Sequence, residues 1–292
     1  MKDKKTYFIC SDIHGFYHEF ISALKTAKFK EDNPNHILVV CGDIFDRGEH
    51  SKEVYEYLKA LPRERRILIR GNHEYLLAEC LKKDFPNSYD FSNGTVGTIC
   101  QFTDAEERWL KYPGMAILEN INSLDYWQEI KNLAEYTLKP IIDWIMSDEW
   151  CNYFETDKYI MTHAFIPLGI NVSKYPMAQE YLYYGSTYGM PTEYFQYRDD
   201  WRNATAEEFY DSTWGCPWKL AKQGLNQTGK TIICGHWHTS DFFNNLKFNG
   251  DKVYVASDNP IFKSKKYQLI GLDTCTALSH KVNVLVLNED KL

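Results

Sequence analysis

The sequence predicts an α/β fold built on two sheets, and three features predict it. Over the first 80 residues, short apolar runs alternate with segments of helical period. Residues 84–155 then read as helical. Strand-like runs return in the C-terminal half, the last three closely spaced with turn residues between them. The opening alternation calls for right-handed crossovers and a largely parallel sheet, and the closing triplet for antiparallel strands of a second sheet.

Tyr7 to Cys10 is the first strand, and Phe16, Phe20, Ala23, Leu24 and Ala27 then recur at helical spacing. Ile37 to Cys41 is a second strand, too short for a helix and rich in β-branched residues. Ser51 to Leu61 reads as a helix with Val54, Leu58 and Leu61 on one stripe. Ile67 to Ile69 is a third strand, followed by a helix from about Glu74 to Lys83. Beyond residue 84, Thr103-Asp104-Ala105-Glu106 reads as a capping box opening a helix with Trp109 and Leu110. Ser123 opens an amphipathic helix carrying Leu124, Trp127, Ile130, Leu133 and Ala134, and Ile141 to Met146 continues helical. Later strands are expected at Tyr159–Met161, Thr231–Cys234, Val253–Ala256, Gln268–Leu272 and Val282–Leu287. There is no internal repeat, and 292 residues suit a single domain over 1–292 with insertions at about 84–155 and 170–228.

Composition narrows the class. A net charge of −7 argues against general nucleic-acid binding and against binding at a membrane surface. No stretch approaches the ~20 apolar residues of a membrane span. None of the eight cysteines forms a C-x-x-C pair, and Cys10, Cys41 and Cys234 sit inside apolar runs. With only a four-residue apolar run near the start, too short for a signal peptide, the expectation is a reducing, cytoplasmic setting.

Five short clusters carry the chemistry, and each follows a strand directly. They are Asp12-Ile13-His14, Gly42-Asp43-Ile44-Phe45-Asp46-Arg47-Gly48, Gly71-Asn72-His73-Glu74, Thr162-His163 and Gly235-His236-Trp237-His238. Loops at the carboxyl ends of strands in open α/β sheets converge on one site. Carboxylates, an amide and imidazoles suit hard-to-borderline divalent cations, and no thiolate is involved. Two ions need one shared oxygen ligand and several private ones, and this set supplies both. Each motif alone is weak, since Gly-Asn is ordinary turn chemistry. Five in this order, each at a strand end, point to a metal centre. His18, His36, His50 and His280 lie outside these clusters and carry no assigned role.

These strings resemble the calcineurin-like metallophosphoesterase superfamily. Ser11 to Gly15, Gly42 to Gly48 and Arg70 to Glu74 are most similar to its PPP branch, which holds Ser/Thr protein phosphatases and symmetrical diadenosine tetraphosphate hydrolases. Thr162 to Pro167 and Gly271-Leu272-Asp273-Thr274 resemble later segments of bacterial members. The resemblance implies a four-layer α/β/β/α sandwich holding two divalent metal ions (Mn, Fe or Zn), with a helical and an aromatic-rich insertion. It implies that Asp12 and His14 hold the first metal and Asn72, His163 and His236 the second, with Asp43 bridging. His238 would complete the first metal's shell, as in the wider superfamily. His73 would be the general acid, oriented by Asp46, and Arg47 would grip the phosphate beside Asn72. Glu74 is expected to make a structural hydrogen bond. A second phosphate-gripping arginine, usual in the branch, has only Arg198 and Arg202 as candidates.

The implied reaction is hydrolysis of a phosphomonoester by a metal-bridged hydroxide, with a phosphorylated protein as the default substrate. A dinucleoside polyphosphate or another small phosphorylated metabolite is the alternative, and a non-catalytic binding module on this fold a third reading. Twelve aromatics between Glu180 and Trp218, among them Tyr181, Tyr183, Tyr184, Tyr188, Trp201, Trp214 and Trp218, admit two roles. They form a stacking wall facing substrate or, as the favoured expectation, the local core of a loop-rich insertion.

Overall fold

The computed structural model describes residues 4–178, 190–247, 253–255 and 259–291. Two five-stranded sheets form its centre. From edge to edge, the first holds β12 (Leu285–Asn288), β1 (Thr6–Cys10), β2 (His36–Cys41), β3 (Arg66–Ile69) and β4 (Trp150–Cys151). β1 to β4 run parallel, and β12 lies antiparallel on β1 with Ile9 opposite Leu285 and Tyr7 opposite Leu287. The second holds β10 (Phe262–Ser264), β11 (Leu269–Gly271), β9 (Thr231–Cys234), β6 (Tyr159–Thr162) and β5 (Tyr153–Glu155). Its three inner strands are parallel and its two edges antiparallel. A separate two-stranded ladder joins β7 (Gly169–Ile170) to β8 (Phe195–Gln196).

Period-two alternation explains why the sheets stack. Tyr7, Ile9, Ile37, Val39 and Cys41 project from the first sheet onto Met161, Ile233, Ile270 and Leu272 of the second. Phe8, Cys10, Leu38 and Val40 project the other way, onto Phe20 and Leu24 of α1 (Tyr17–Thr26) and Val54 and Leu58 of α2 (Ser51–Ala60). The outer face of the second sheet, through Ile160, Ile232 and Leu269, packs on Leu220 and Phe242 from the helices Pro217–Lys222 and Thr239–Leu246. Helix, sheet, sheet, helix is the expected four-layer order. Each of these aliphatic side chains contributes roughly 1.5–3 kcal/mol when fully buried. Truncating one at the seam, such as Ile233→Ala, would cost about 2–5 kcal/mol.

The first half matches the expected elements closely, including α3 (Asn72–Cys80). The helical insertion runs through α4 (Ser88–Asn93), α5 (Thr95–Thr103), α6 (Arg108–Lys111), α7 (Pro113–Leu118), α8 (Ser123–Thr137) and α9 (Lys139–Ile145). α8 begins where Asn122 caps the Leu124 N–H at 3.0 Å, and it buries Trp127, Ile130 and Ala134.

Several expectations are corrected. The Thr103–Glu106 string opens no helix: Thr103 ends α5, its hydroxyl donating to Ile99 O at 2.8 Å, and the next helix starts at Arg108. The closing strands do not form an antiparallel second sheet. Leu285–Asn288 returns to the first sheet because Leu285 and Leu287 extend the buried stripe of Tyr7 and Ile9. Residues 253–255 are not a strand, and Ala256 lies outside the described residues. Leu269–Gly271 is parallel to β9, antiparallel only to a strand at Phe262–Ser264 that the sequence reading missed. No helix among the described residues is long and apolar enough to cross a membrane.

Candidate metal centre

The parallel strands β1, β2 and β3, and β6 and β9 across the seam, bring five loops together at their carboxyl ends. Asp12 and His14 follow β1, Asp43, Asp46 and Arg47 follow β2, and Asn72 and His73 open α3 directly after β3. His163 follows β6 and His236 follows β9. The backbone is strained here. Asp12, His14, Asp43, Asp46, Arg47 and His236 have φ between 51° and 74°, a region non-glycine residues avoid. Such strain persists only where surrounding structure holds it, and it gathers at functional sites. The motif glycines are needed for close approach. A Cβ on Gly71 would lie 2.2 Å from Asp43 Oδ1, and one on Gly235 2.0 Å from Asp12 Oδ2.

Two groups of ligand-type atoms form, and Asp43 belongs to both. One is His14, Asp43 and His73; the other is Asp43, His163 and His236, with the atoms of each within 4.8 Å of one another. His14 Nε2 lies 3.7 Å from Asp43 Oδ2 and 4.0 Å from Asp12 Oδ1. His163 Nε2 lies 3.4 Å from Asp43 Oδ1, 2.9 Å from Asn72 Oδ1 and 3.2 Å from His236 Nδ1. Tautomers follow from the other ring nitrogens. His14 Nδ1 donates to Phe45 O at 2.9 Å and His163 Nδ1 to Cys41 O at 2.8 Å, since a carbonyl only accepts. Each Nε2 therefore carries a lone pair: that of His163 faces the Asn72 and Asp43 oxygens, while that of His14 accepts from Arg47 at 2.6 Å. Acceptors crowded in this way repel one another unless a cation lies among them, and outer hydrogen bonds of this kind orient metal-binding imidazoles. The donor set thus fits divalent ions.

The electrostatics of the metal-free protein agree. Burial, with the charges of Asp273 and Asp43, pushes Asp12 well above the usual carboxylate range. Asp43 is also buried, which alone would raise it, but the imidazoles against it, His163 and His73 foremost, hold it low. Burial, helped by Arg47 beside His14 and by His163 beside His236, keeps these two imidazoles neutral, the form that binds a metal. Glu74 accepts N–H bonds from Asp43 (2.9 Å), Ile44 (2.9 Å) and Gly71 (2.6 Å), the structural role expected of it. Burial and the Asp43 charge nonetheless push its carboxyl up to about 7.

Beside the groups lies a second constellation. His73 Nδ1 is 2.6 Å from Asp46 Oδ2, and Arg47 reaches His14 Nε2 at 2.6 Å and His73 Nε2 at 3.2 Å. Burial opposes a charged His73, but Asp43 and the hydrogen bond to Asp46 outweigh it and raise its pKa. The sequence reading missed what holds Asp46. Thr95 Oγ1 donates to Oδ2 and Thr98 Oγ1 to Oδ1, both at 2.8 Å, from the first turn of α5. A signal was present. Thr95, Thr98 and Gln101 recur every third residue through a helix that otherwise buries Val96, Ile99 and Phe102. That is a polar stripe where an apolar one would be expected.

His238, like Asp12, is in neither group; its Nε2 lies 4.0 Å from Asp273 Oδ2, whose charge acts on Asp12. Arg198 is tied to Asp200 at 2.8 Å and to Glu208, and Arg202 to Glu155 at 2.6 and 2.7 Å, so neither is poised as a second phosphate clamp. Among the described residues Arg47 is the arginine that meets the site. Of the aromatic insertion, Tyr181, Tyr183, Tyr184 and Tyr188 lie outside the described residues. Trp201 is fully buried in the outer core. Trp214 stands edge-on to His236 with ring centroids 6.0 Å apart. Cys10, Cys41 and Cys234, at the ends of β1, β2 and β9, are fully buried free thiols.

A phosphoester-cleaving class of protein is defined by this sandwich with its paired donor groups. The chain belongs to the calcineurin-like phosphoesterase family, whose model matches residues 5–240. It is similar to the serine/threonine-protein phosphatase PP1-1 of Saccharomyces cerevisiae, 38% identical over 69 residues, which are 23% of this chain and 22% of that protein. A cold-active protein-tyrosine phosphatase from a psychrophilic Shewanella shares the fold, with a TM-score of 0.50 at 16% identity over 97% of this chain and 75% of that one. A putative diadenosine tetraphosphatase aligns with a TM-score of 0.44 at 16% identity, over 98% of this chain and 90% of that one.

Proposed function

We propose that this chain is a metal-dependent phosphomonoesterase of the Ser/Thr protein phosphatase type. The observation that carries the reading is Asp43, one carboxylate shared by two donor groups, with a buried His–Asp pair and an arginine beside it. Asp12, His14 and Asp43 would hold one ion, and Asp43, Asn72, His163 and His236 the other. Oxygen and nitrogen donors without thiolate suit Mn, Fe or Zn. Bound ions would supply an activated water and polarise the phosphoryl oxygens. Arg47 would take two phosphoryl oxygens in its planar fork, leaving His73 Nε2 for the ester. His73 would then pass its Nε2 proton to the leaving alkoxide, while Asp46 keeps the ring oriented through Nδ1.

A monoester is favoured over a polyphosphate because, among the described residues, Arg47 is the one arginine at the site, a single planar fork for a single phosphoryl group. The test is turnover with Mn²⁺ of p-nitrophenyl phosphate, a phosphoserine peptide and diadenosine tetraphosphate. The two monoesters are expected to be cleaved faster. Preference for diadenosine tetraphosphate would favour the dinucleotide reading, and no turnover of any ester would overturn the assignment. Asp43→Asn should abolish activity more completely than His14→Ala, because it weakens both ion sites. Equal losses would remove the bridging role.

A further inference from the structure

We propose that Thr95 and Thr98 are positioning residues for proton delivery, so that the helical insertion forms part of the reactive apparatus. Asp46 is completely buried, and all of its hydrogen-bonding groups are used. Oδ2 takes His73 Nδ1 at 2.6 Å and Thr95 Oγ1 at 2.8 Å. Oδ1 takes Thr98 Oγ1 at 2.8 Å, and the Asp46 N–H donates back to the same hydroxyl at 3.0 Å. Thr98 thus fixes one residue at two points, its backbone and its carboxylate, at a position where φ is 74°.

The rest of the helix face has the same task. Gln101 donates to Gly48 O and accepts from Ser51 N, both at 2.8 Å. Gly94, just before α5, packs so tightly on the Asp46-Arg47 peptide that a Cβ would come 2.3 Å from Arg47 N. A threonine inside a helix commonly bonds back to its own helix's carbonyl four residues earlier, as Thr103 does to Ile99. Thr95 and Thr98 instead spend their hydroxyls on the loop after β2. Both are fully buried, where an unpaired hydroxyl would cost free energy, so the pairing is specific. Two donors on opposite oxygens stop the carboxylate from rotating about its own bond. That in turn fixes the plane in which the His73 ring must lie.

The proposal rests on the phosphomonoesterase reading, and its test separates the two. Thr98→Val keeps shape and removes the hydroxyl; Thr98→Ser restores it. On an alkyl phosphate, whose alkoxide needs a proton to leave, Thr98→Val should lose about 10- to 100-fold in kcat, the range of one hydrogen bond to a carboxylate. KM should hardly move. On p-nitrophenyl phosphate, whose phenolate leaves unaided, the loss should stay below about 3-fold. Thr98→Ser should recover most of the alkyl activity. The downfield proton signal of His73 Nδ1–H, read without turnover, should shift or broaden in Thr98→Val and return in Thr98→Ser. Thr95→Val provides the same comparison should Thr98→Val fail to fold. Equal losses on both substrates, no loss on either, or an unchanged Nδ1–H signal would overturn the positioning role in an active enzyme. A wild-type protein inactive toward every ester would instead overturn the phosphomonoesterase reading, and this proposal with it.

Discussion

His73 is the residue on which the proposed chemistry turns, because its two ring nitrogens face different partners. Nδ1 is held by Asp46, and Nε2 lies 3.2 Å from Arg47, the side proposed for the ester. Replacing the ring by an amide, His73→Asn, should cripple turnover of alkyl phosphates by about 10²–10⁴-fold, the usual worth of a general acid. It should cost far less on p-nitrophenyl phosphate. An identical loss on both substrates would mean that the ring serves Asp43 or a metal instead, a role its place in the His14–Asp43–His73 group makes concrete. Once His73 is gone, adding Thr98→Val should cost nothing further on the alkyl substrate, because the two act through one proton. Independent, additive losses would show that the threonine acts elsewhere.

At the scale of elements, Glu149 shows how strands and helices of the first half are fastened. Its Oε2 accepts from Trp144 Nε1 of α9 at 2.9 Å and from Arg66 of β3, and its Oε1 from Lys59 of α2 at 3.2 Å. The Trp144 hydrogen bond first, then Arg66 and Lys59, lower its pKa to about 2. A depressed folded pKa stabilises above the unfolded value of about 4.3, and that stability is lost as pH falls through about 2. Glu149→Gln should therefore lower stability at pH 7 by about 1 kcal/mol, allowing for solvent screening at a partly exposed group. The difference from wild type should close between about pH 4.5 and pH 2 in thermal melts; a constant difference across that range would refute it. The elements that sequence revealed were those with strong local signals. Phe20 and Leu24, or Val54 and Leu58, repeat at one face, and Ile37 to Cys41 is an apolar run of strand length. All five site loops were legible because each motif sits at the end of such a run. What escaped was non-local. Leu285–Asn288 alternates like any half-buried strand, and nothing in that pattern names the sheet it joins. Two-residue strands such as Trp150–Cys151 carry no period at all. Thr95 and Thr98 stand out as a polar stripe on a helix that otherwise reads as buried, but nothing in the sequence names Asp46 as their partner.

Over the whole molecule, the candidate ligands are divided between the sheets. Asp12, Asp43 and Asn72 follow strands of the first, His163 and His236 strands of the second. Ions bound among them would tie the two halves together at one end of the seam. At a free-ion concentration of 100 Kd, binding to the folded state adds about 2.7 kcal/mol. For a chain this long that corresponds to a rise of roughly 4–5 °C in Tm for each ion. Calorimetry with and without Mn²⁺ or Zn²⁺, and after chelation, reads this directly; a Tm indifferent to every ion would contradict the ligand set. The buried thiols extend the point from equilibrium to time. Cys10 and Cys41 end strands of the first sheet and Cys234 one of the second, each two residues ahead of Asp12, Asp43 or His236. Burial pushes all three thiols up, so neither access nor thiolate is available while the layers stay closed. Cys41 faces the seam, so its alkylation waits for the sheets to part, whereas Cys10 lies under α1 and α2 and Cys234 under the outer helices of the second sheet. The chain therefore carries, one in each interface between its layers, a chemical stopwatch for how often those layers part.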